Sequence, residues 1–405
     1  MSSRRLVVLL ALGLLVIAGA IWLSLQRSLP RDTTVARHVL PELAGALNDV
    51  SEIKIVKAGD KAAVTLKRGS NDWMVAERAG YPADASKVRK LLIDLSQLET
   101  VEDKTSNPKH YAQLGVEDIK DAKATGTRLD LTGLKQPQQL IVGKTSGMHS
   151  AFVRVPDQAQ SYLASPQISV DGEPANWLDR SLLDIPAAQV QEARIRLAAG
   201  APYTTRRDTR EQTDFAVPDL PKGRTLSNPA AANPVSSALG GLTFDDVRAL
   251  APDEDWSKDT AQTEFRLFDG TTITIQGRSA DDKRWIRITA GFDPALNQKF
   301  AVSPAPVKKG DTASPASASP AAGATAPKSP APAATSPATP AAPPAKSAAE
   351  SRTESEALAK RVSGWVYEIP SYKYDTMFRP LEQLLQPAAA GKPTKPPKPT
   401  KPKKP

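Results

Sequence analysis

The chain carries one pattern twice, and that repetition constrains its fold more than any single motif. "EIKIVKAGDKAAVTLKRGSNDWMVAE" (52–77) reads as three short strands with turns at Ala58-Gly59-Asp60 and Gly69-Ser70-Asn71-Asp72. A helix is expected next. Val88, Leu91, Leu92, Leu95 and Leu98 fall on one apolar face at helical spacing, and Asp84 stands where an N-cap belongs. "TRLDL", "QQLIVG" and "AFVRVP" follow as further strands. Downstream, Ile53, Ile55, Trp73 and Val75 find counterparts in Ile195, Leu197, Phe215 and Val217, all displaced by 142 positions. Val88, Leu92 and Leu95 find theirs in Val235, Leu239 and Leu242, displaced by 147. Asn233 is the expected N-cap of that second helix, and Pro234 fits its first position. "TRLDL" (127–131) matches "TEFRL" (263–267), and "FVRV" (152–155) matches "WIRI" (285–288). The shared order of these matches marks an internal duplication. The expected fold is α+β: two tandem copies of an antiparallel sheet, each with a covering helix.

The second copy is interrupted. In the first, "FVRV" runs through a short turn into "SYLASP"; in the second, the matching partner is "VYEIP". Tyr162 then corresponds to Tyr367, and the displacement jumps from 133 to 205. The added residues include 303–348, a run of Ala, Pro, Ser and Thr without the apolar content to offset chain entropy. This run reads as an insertion inside a hairpin. The alternative is a linker to a separate module, but 363–385 is too short to fold alone. "AAESRTESEALAKRV" after it has the composition of a short helix. The division is therefore 1–27, cytoplasmic N-terminus and membrane anchor; 28–50, juxtamembrane; 51–188, first repeat; 189–302 with 361–388, second repeat; 303–360, disordered insertion; and 389–405, a disordered Lys/Pro tail. Between the copies, "WLDRSLLDIP" (177–186) reads as a helical connector in which Asp179 and Arg180 could pair.

Residues Leu6 to Leu25 form an apolar run whose only polar member is Ser24. As a helix it would span about 30 Å, the thickness of a bilayer's hydrocarbon core. Arg4 and Arg5 place its N-terminus on the cytoplasmic side. Ala18-Gly19-Ala20 has the form of a signal-peptide cleavage site, but the run continues through Ile21, Trp22 and Leu23, longer than a usual signal core. An uncleaved anchor is favoured, with lipid contact through 6–25 and the bulk of the chain in the periplasm. The net charge of +9 sits at the ends: six lysines after residue 390, and Arg4, Arg5 and Arg27 at the start. The body between them is neutral, which argues against a nucleic-acid partner. With no cysteine, disulfides, thiolate catalysis and a lipid-modified cysteine anchor are excluded.

Catalytic chemistry is poorly supported. The three histidines, His38, His110 and His149, lack companions at metal-ligand spacing. No Gly-x-Ser-x-Gly elbow is present. "VGKTSG" (142–147) resembles part of a phosphate loop, but the required earlier glycine is Gln138 and no helix follows. Glu102-Asp103 and Asp245-Asp246 read as solvated element ends. The expected core comprises Trp73, Val75, Leu92, Leu95, Trp177, Phe215, Leu239, Trp285 and Trp365. No catalytic, metal or cofactor residue is assigned.

The anchor, "W-x-V", "YPADASKVRKLLIDLSQLE", "NPKHYAQLGV", "LIVGKTSGMHSAFVRV" and "WLDRSLLDI" together resemble bacterial membrane-anchored proteins grouped as domain of unknown function 4340. The likeness covers about residues 50–300 and 361–385. Such proteins are often encoded beside an ABC-type transporter and a gliding-motility-type auxiliary protein. The resemblance therefore implies a non-enzymatic accessory or scaffold subunit at the inner membrane, with an ABC-type permease or other envelope protein as partner. The alternative is an envelope tether that binds anionic lipid or wall polymer through the Lys/Pro tail. A hydrolase of envelope polymer is a third class.

Overall fold

The structure is a computed structural model and describes residues 37–70, 72–300 and 346–387. The Leu6–Leu25 run, residues 303–345 of the insertion and the 389–405 tail lie outside the described residues. Among the described residues no helix is long and apolar enough to cross a membrane. The architecture is α+β, mostly antiparallel sheet, in two compact units. Residues 37–180 make the first, with 246–248 grouped to it; the remainder makes the second.

The first unit contains β1 (Glu52–Lys57), β2 (Lys61–Arg68), β3 (Trp73–Val75), β4 (Tyr81–Pro82), helix α1 (Ala85–Ser96) and β5 (Glu99–Asp103). It continues through the short α2 (Tyr111–Leu114), β6 (Thr127–Thr132), β7 (Gln138–Ser146), β8 (Ser150–Arg154) and β9 (Ser161–Ser165). The nine strands lie in the order β4-β3-β2-β1-β6-β7-β8-β9-β5. The β1–β2 hairpin turns through the three residues Ala58, Gly59 and Asp60, and Gly59 and Asp60 have the positive φ that glycine and aspartate tolerate best. The Asp84 carboxylate caps α1 by accepting from the backbone N–H groups of Ser86 and Lys87. Its buried positions are Val88, Leu91, Leu92, Leu95 and Ser96. Alternate strand residues Ile53, Ile55, Leu66, Leu129, Leu131 and Val153 are also fully or almost fully buried.

The other face of this sheet is closed by the segment between β5 and β6. Tyr111, Val116 and Ile119 form a core cluster with Val56 and Ile141, and Phe152 packs against it. Gly143 permits this closure. A Cβ there would stand 2.8 Å from the Gly115 carbonyl oxygen and closer still to that of Leu114.

The second unit contains β10 (Ser181–Leu183), β11 (Val190–Arg196), β12 (Tyr203–Arg206), α3 (Asn233–Ser236), β13 (Leu242–Thr243), β14 (Asp246–Ala249), β15 (Ala261–Leu267), β16 (Thr271–Ala280) and β17 (Lys283–Phe292). α4 (Pro294–Phe300), α5 (Ala348–Val362), β18 (Trp365–Glu368) and α6 (Ser371–Met377) complete it. β10 and β13 pair with each other; the main sheet runs β12-β11-β15-β16-β17-β18-β14. Strand for strand this repeats β2-β1-β6-β7-β8-β9-β5 of the first unit. Even the third strand leaves a trace: Ala216 bridges to Arg206 as Met74 pairs with Lys67. β18 lies antiparallel beside β17, with Trp285 opposite Glu368 and Ile286 opposite Tyr367.

The second copy differs from its expected form in four respects. Its helix shrinks to the single turn α3, capped by Ala232 rather than Asn233. Asn233 is the first helical residue, and its side chain instead donates to Asp214 and accepts from the Phe215 N–H. The Ser236 and Ser237 hydroxyls bond back to carbonyls one turn earlier, a local alternative that competes with helix extension, and Gly240-Gly241 follow. The covering role passes to α5, which runs along β17 and β16, and to α6. The short helix read from "AAESRTESEALAKRV" is present as α5, so residues 348–360 are not part of the disordered insertion to which the domain division assigned them; its start is fixed by a Ser347–Glu350 capping box. The 177–186 connector is not helical but a 3-10 turn (Pro174–Trp177) followed by β10. Finally, the matched residues slip. Equating Ile53 with Ile195 and Leu131 with Leu267 places Ile195 opposite Leu267, yet Ile195 faces Thr263 and Leu267 faces Val190.

Candidate functional site

Most of the expected core residues lie inside their units. Trp73, Val75, Leu92, Leu95, Trp177, Phe215 and Leu239 are all buried. Trp285 and Trp365 are only half-buried. Trp285 shares the outward face of β17 with Arg287, because Ile286 and Ile288 take the inward positions.

The sequence features that suggested chemistry have local structural roles. Gly143 and Lys144 of "VGKTSG" lie within β7, and the Lys144 ammonium donates to the carbonyls of Ala112 and Gln113 at 3.2 and 3.0 Å. His38 stands 3.7 Å from Glu99 at the edge of β5, and His110 closes a 3-10 turn. His149 sits in the β7–β8 turn beside exposed Met148, where the two border a pocket of about 430 Å³ closed by Ser165, Pro166 and Gln167. Among the described residues no three metal-ligating side chains gather.

One buried cation is structural. Arg207 is 4% exposed and donates to the carbonyls of Gln212, Ala187 and Val190 at 2.7–2.8 Å. Its guanidinium lies 4.5 Å from the Phe215 ring centre and 5.5 Å from that of Phe268. Burial, and secondarily the charge of Arg210, lower its pKa. Its two terminal guanidinium nitrogens brace the start of β11 through these carbonyls, while its buried Nε has no hydrogen-bond partner among the described residues.

The two sheets differ in how their faces are covered. In the second unit, Ile273, Ile275, Ile286, Ile288, Phe265 and Ala193 point inward. The hydroxyls on that side find partners: Thr205 on Ser236 of α3, Thr263 on the Met377 carbonyl of α6, and Thr271 on Ser355 of α5. The outward face carries Arg194, Arg196, Gln262, Glu264, Thr272, Thr274, Gln276, Arg287 and Thr289, all exposed or half-exposed. The β14–β15 connection is much shorter than the β5–β6 segment that closes the first sheet. It reaches only one end of this face, where the Trp256 carbonyl accepts from Gln276 and Arg278 stacks on the Trp256 ring at 4.7 Å. At the β11 end, a pocket of about 360 Å³ is bordered by Arg194, Arg196, Gln262, Glu264 and Asp219. A further pocket of about 430 Å³ opens beside α5, with Asp184, Gln189, Asp269 and Arg361 on its wall.

The outward face of the second sheet is therefore a broad polar surface on a framework of four paired strands. Outward positions follow from strand alternation, but which of them stand side by side depends on the register of four strands, which the sequence does not display. A family model described as domain of unknown function (DUF4340) matches residues 73–264, across parts of both units. No curated protein and no solved structure matches the chain.

Proposed function

This chain belongs, through residues 73–264, to the DUF4340 family of unknown function, and we propose that it is a membrane-anchored, non-catalytic accessory or scaffold subunit of an ABC-type transport or envelope-assembly system. In this reading the chain crosses the inner membrane once and holds both sheet units in the periplasm.

The apolar Leu6–Leu25 run carries the proposal. The start of the described chain supports it. Arg37, His38 and Val39 lie along the outer edge of β5, with Val39 N–H donating to the Leu98 carbonyl at 2.8 Å and Thr100 N–H to the Arg37 carbonyl at 2.9 Å. Only residues 26–36 separate that edge from the apolar run, and a fully extended segment of this length spans at most about 40 Å. An anchor at 6–25 would keep the first unit close to the bilayer, within reach of the extracytoplasmic surface of a membrane partner.

Crosslinking of the intact protein in its native membrane, followed by mass spectrometry of the adducts, tests this reading. An ABC permease and its ATPase are expected among the adducts. Recovery of wall or envelope components without any transporter subunit would overturn it. That outcome would favour a tether that acts through the six-lysine tail, whose loss on deleting residues 391–405 would release the protein from the envelope fraction.

A further inference from the structure

We propose that a cross-strand row on the outward face of the second sheet, Arg196–Gln262–Gln276–Arg287, is a binding strip for an acidic glycan. The inference uses only the extracytoplasmic placement in the reading above and is independent of any transporter.

The strand registers build the row. Arg196 is opposite Gln262, Gln262 is opposite Gln276, and Gln276 is opposite Arg287. Directly opposed residues share a face, so the four side chains project together. Neighbouring strands lie about 4.8 Å apart, which sets the two arginines about 14 Å from each other across two amides.

Charge distinguishes this row from the rest of the face. Arg194 is held by Glu192 at 2.5 Å, Arg266 by Asp293 at 2.5 Å and Arg278 by Glu254 at 3.5 Å. Glu264 is shared between Arg194 and Arg266. Arg196 and Arg287 have no ion pair or hydrogen bond among the described residues. The face thus offers two uncommitted guanidiniums, each suited to paired hydrogen bonds with a carboxylate.

The groups between and beside them select the kind of anion. Gln262, Thr274 and Thr289 supply an amide and hydroxyls that both donate and accept, the complement of sugar hydroxyls; the Gln276 amide nitrogen is held by the Trp256 carbonyl, which leaves its oxygen to accept. Glu264 and Asp219, on the wall of the 360 Å³ pocket at the Arg196 end, add acceptors for the sugar hydroxyls that lie between successive carboxylates. That volume falls within the usual range for small-ligand pockets. The row itself is polar and Trp285, beside Arg287 on the same face, is half-buried, whereas protein interfaces depend on clusters of buried aromatic or aliphatic anchors. An acidic polypeptide therefore fits less well than a uronate-containing chain. In the first unit the corresponding face is closed by Tyr111, Val116 and Ile119, so the strip belongs to the second copy alone.

The test is calorimetric titration of the purified full-length chain in detergent with a short oligogalacturonate, alongside dextran and poly-glutamate. The proposal expects oligogalacturonate to bind, dextran to show no heat and poly-glutamate to bind more weakly. Arg196→Gln and Arg287→Gln should each weaken oligogalacturonate binding about tenfold or more, with unchanged melting. Absence of oligogalacturonate binding would overturn the proposal. So would binding that both variants leave intact, which would place it on the lysine tail. Poly-glutamate binding as tight as oligogalacturonate would reassign the strip to an acidic protein.

Discussion

Gly277→Ala should destabilise the second unit, although replacing a strand glycine ordinarily helps. Gly277 lies in the interior of β16, opposite Ala261 and Ile286, in extended backbone open to any residue. Conformational entropy alone predicts that alanine would stabilise by about 0.5–1 kcal/mol. The space is taken, however. A Cβ would meet the Phe378 ring, with Cζ at 2.6 Å and a nearer ring carbon besides, and Tyr374 Cε2 at 2.7 Å. Phe378 is itself buried and stacks with Tyr374 at 4.6 Å between ring centres. Overpacking of this kind costs about 1–3 kcal/mol, so the net expected loss is about 1–2 kcal/mol. Hydrogen exchange of the Thr271–Ala280 amides reads the change within this unit. The cause is identified by a double-mutant cycle. With Phe378→Leu making room, Gly277→Ala should cost at least about 1 kcal/mol less than it does alone. A neutral or stabilising Gly277→Ala, or strict additivity in the cycle, would refute the packing of the post-insertion segment on β16.

Three further outcomes follow from local geometry. Gly143→Ala should loosen the β5–β6 segment by driving a Cβ into the Leu114 and Gly115 carbonyls; accelerated proteolysis near residues 111–119 reads it, and unchanged resistance would contradict it. Ser351→Ala should stabilise the second unit by about 1 kcal/mol, because the buried Ser351 hydroxyl has no hydrogen-bond partner among the described residues and alanine suits a helix better. The corresponding rise in melting temperature is about 2–4 °C, and a fall would contradict the burial. The Asp293 carboxylate is held below its ordinary pKa of 3.8, first by the Leu296 backbone N–H and then by Arg266, against an opposing desolvation effect. A depressed carboxylate stabilises the fold above its ordinary pKa and loses that contribution as pH falls through the folded value. The melting-temperature gap between wild type and Asp293→Asn should therefore narrow as pH drops from about 6 to about 3; a constant gap would count against this role.

Alternation and repetition made much of this fold legible. Ile53, Ile55, Leu129 and Leu131 announce one buried face, and the same cadence around Phe265 and Ile288 announces its copy. Register was hidden for a specific reason. Side chains alternate with a period of two, so an even slip, such as Ile195 facing Thr263 rather than Leu267, leaves every inward residue inward. Trp285 shows the reverse limit: an aromatic at a strand position does not reveal which face it takes. Helical spacing overstates the second copy's helix: Val235 and Leu239 keep that spacing and are buried, while Ser236, Ser237 and Gly240-Gly241 break the backbone between and after them. Its replacement, α5, was hard to recognise as a core element because its fully buried positions are Ser351, Ser355 and Val362 rather than an apolar stripe. The Arg196–Arg287 row combines four strands distant in sequence and becomes visible only once all their registers are set.

The Ala/Pro-rich segment interrupts one folding unit. Beyond it, Val366, Tyr367, Ile369, Met377, Phe378, Leu381 and Leu384 are all buried. At about 1.5–3 kcal/mol for each buried side chain of this kind, their summed contribution rivals the whole stability of a typical domain. Hydrogen exchange on a chain truncated after Phe300 tests the claim most directly. Amide protection across Ala261–Leu267, Thr271–Ala280 and Lys283–Phe292 is expected to collapse once β18, α5 and α6 are removed. Full protection of those strands in the truncated chain would show that the second unit is complete before the insertion and that the C-terminal part is a separate module.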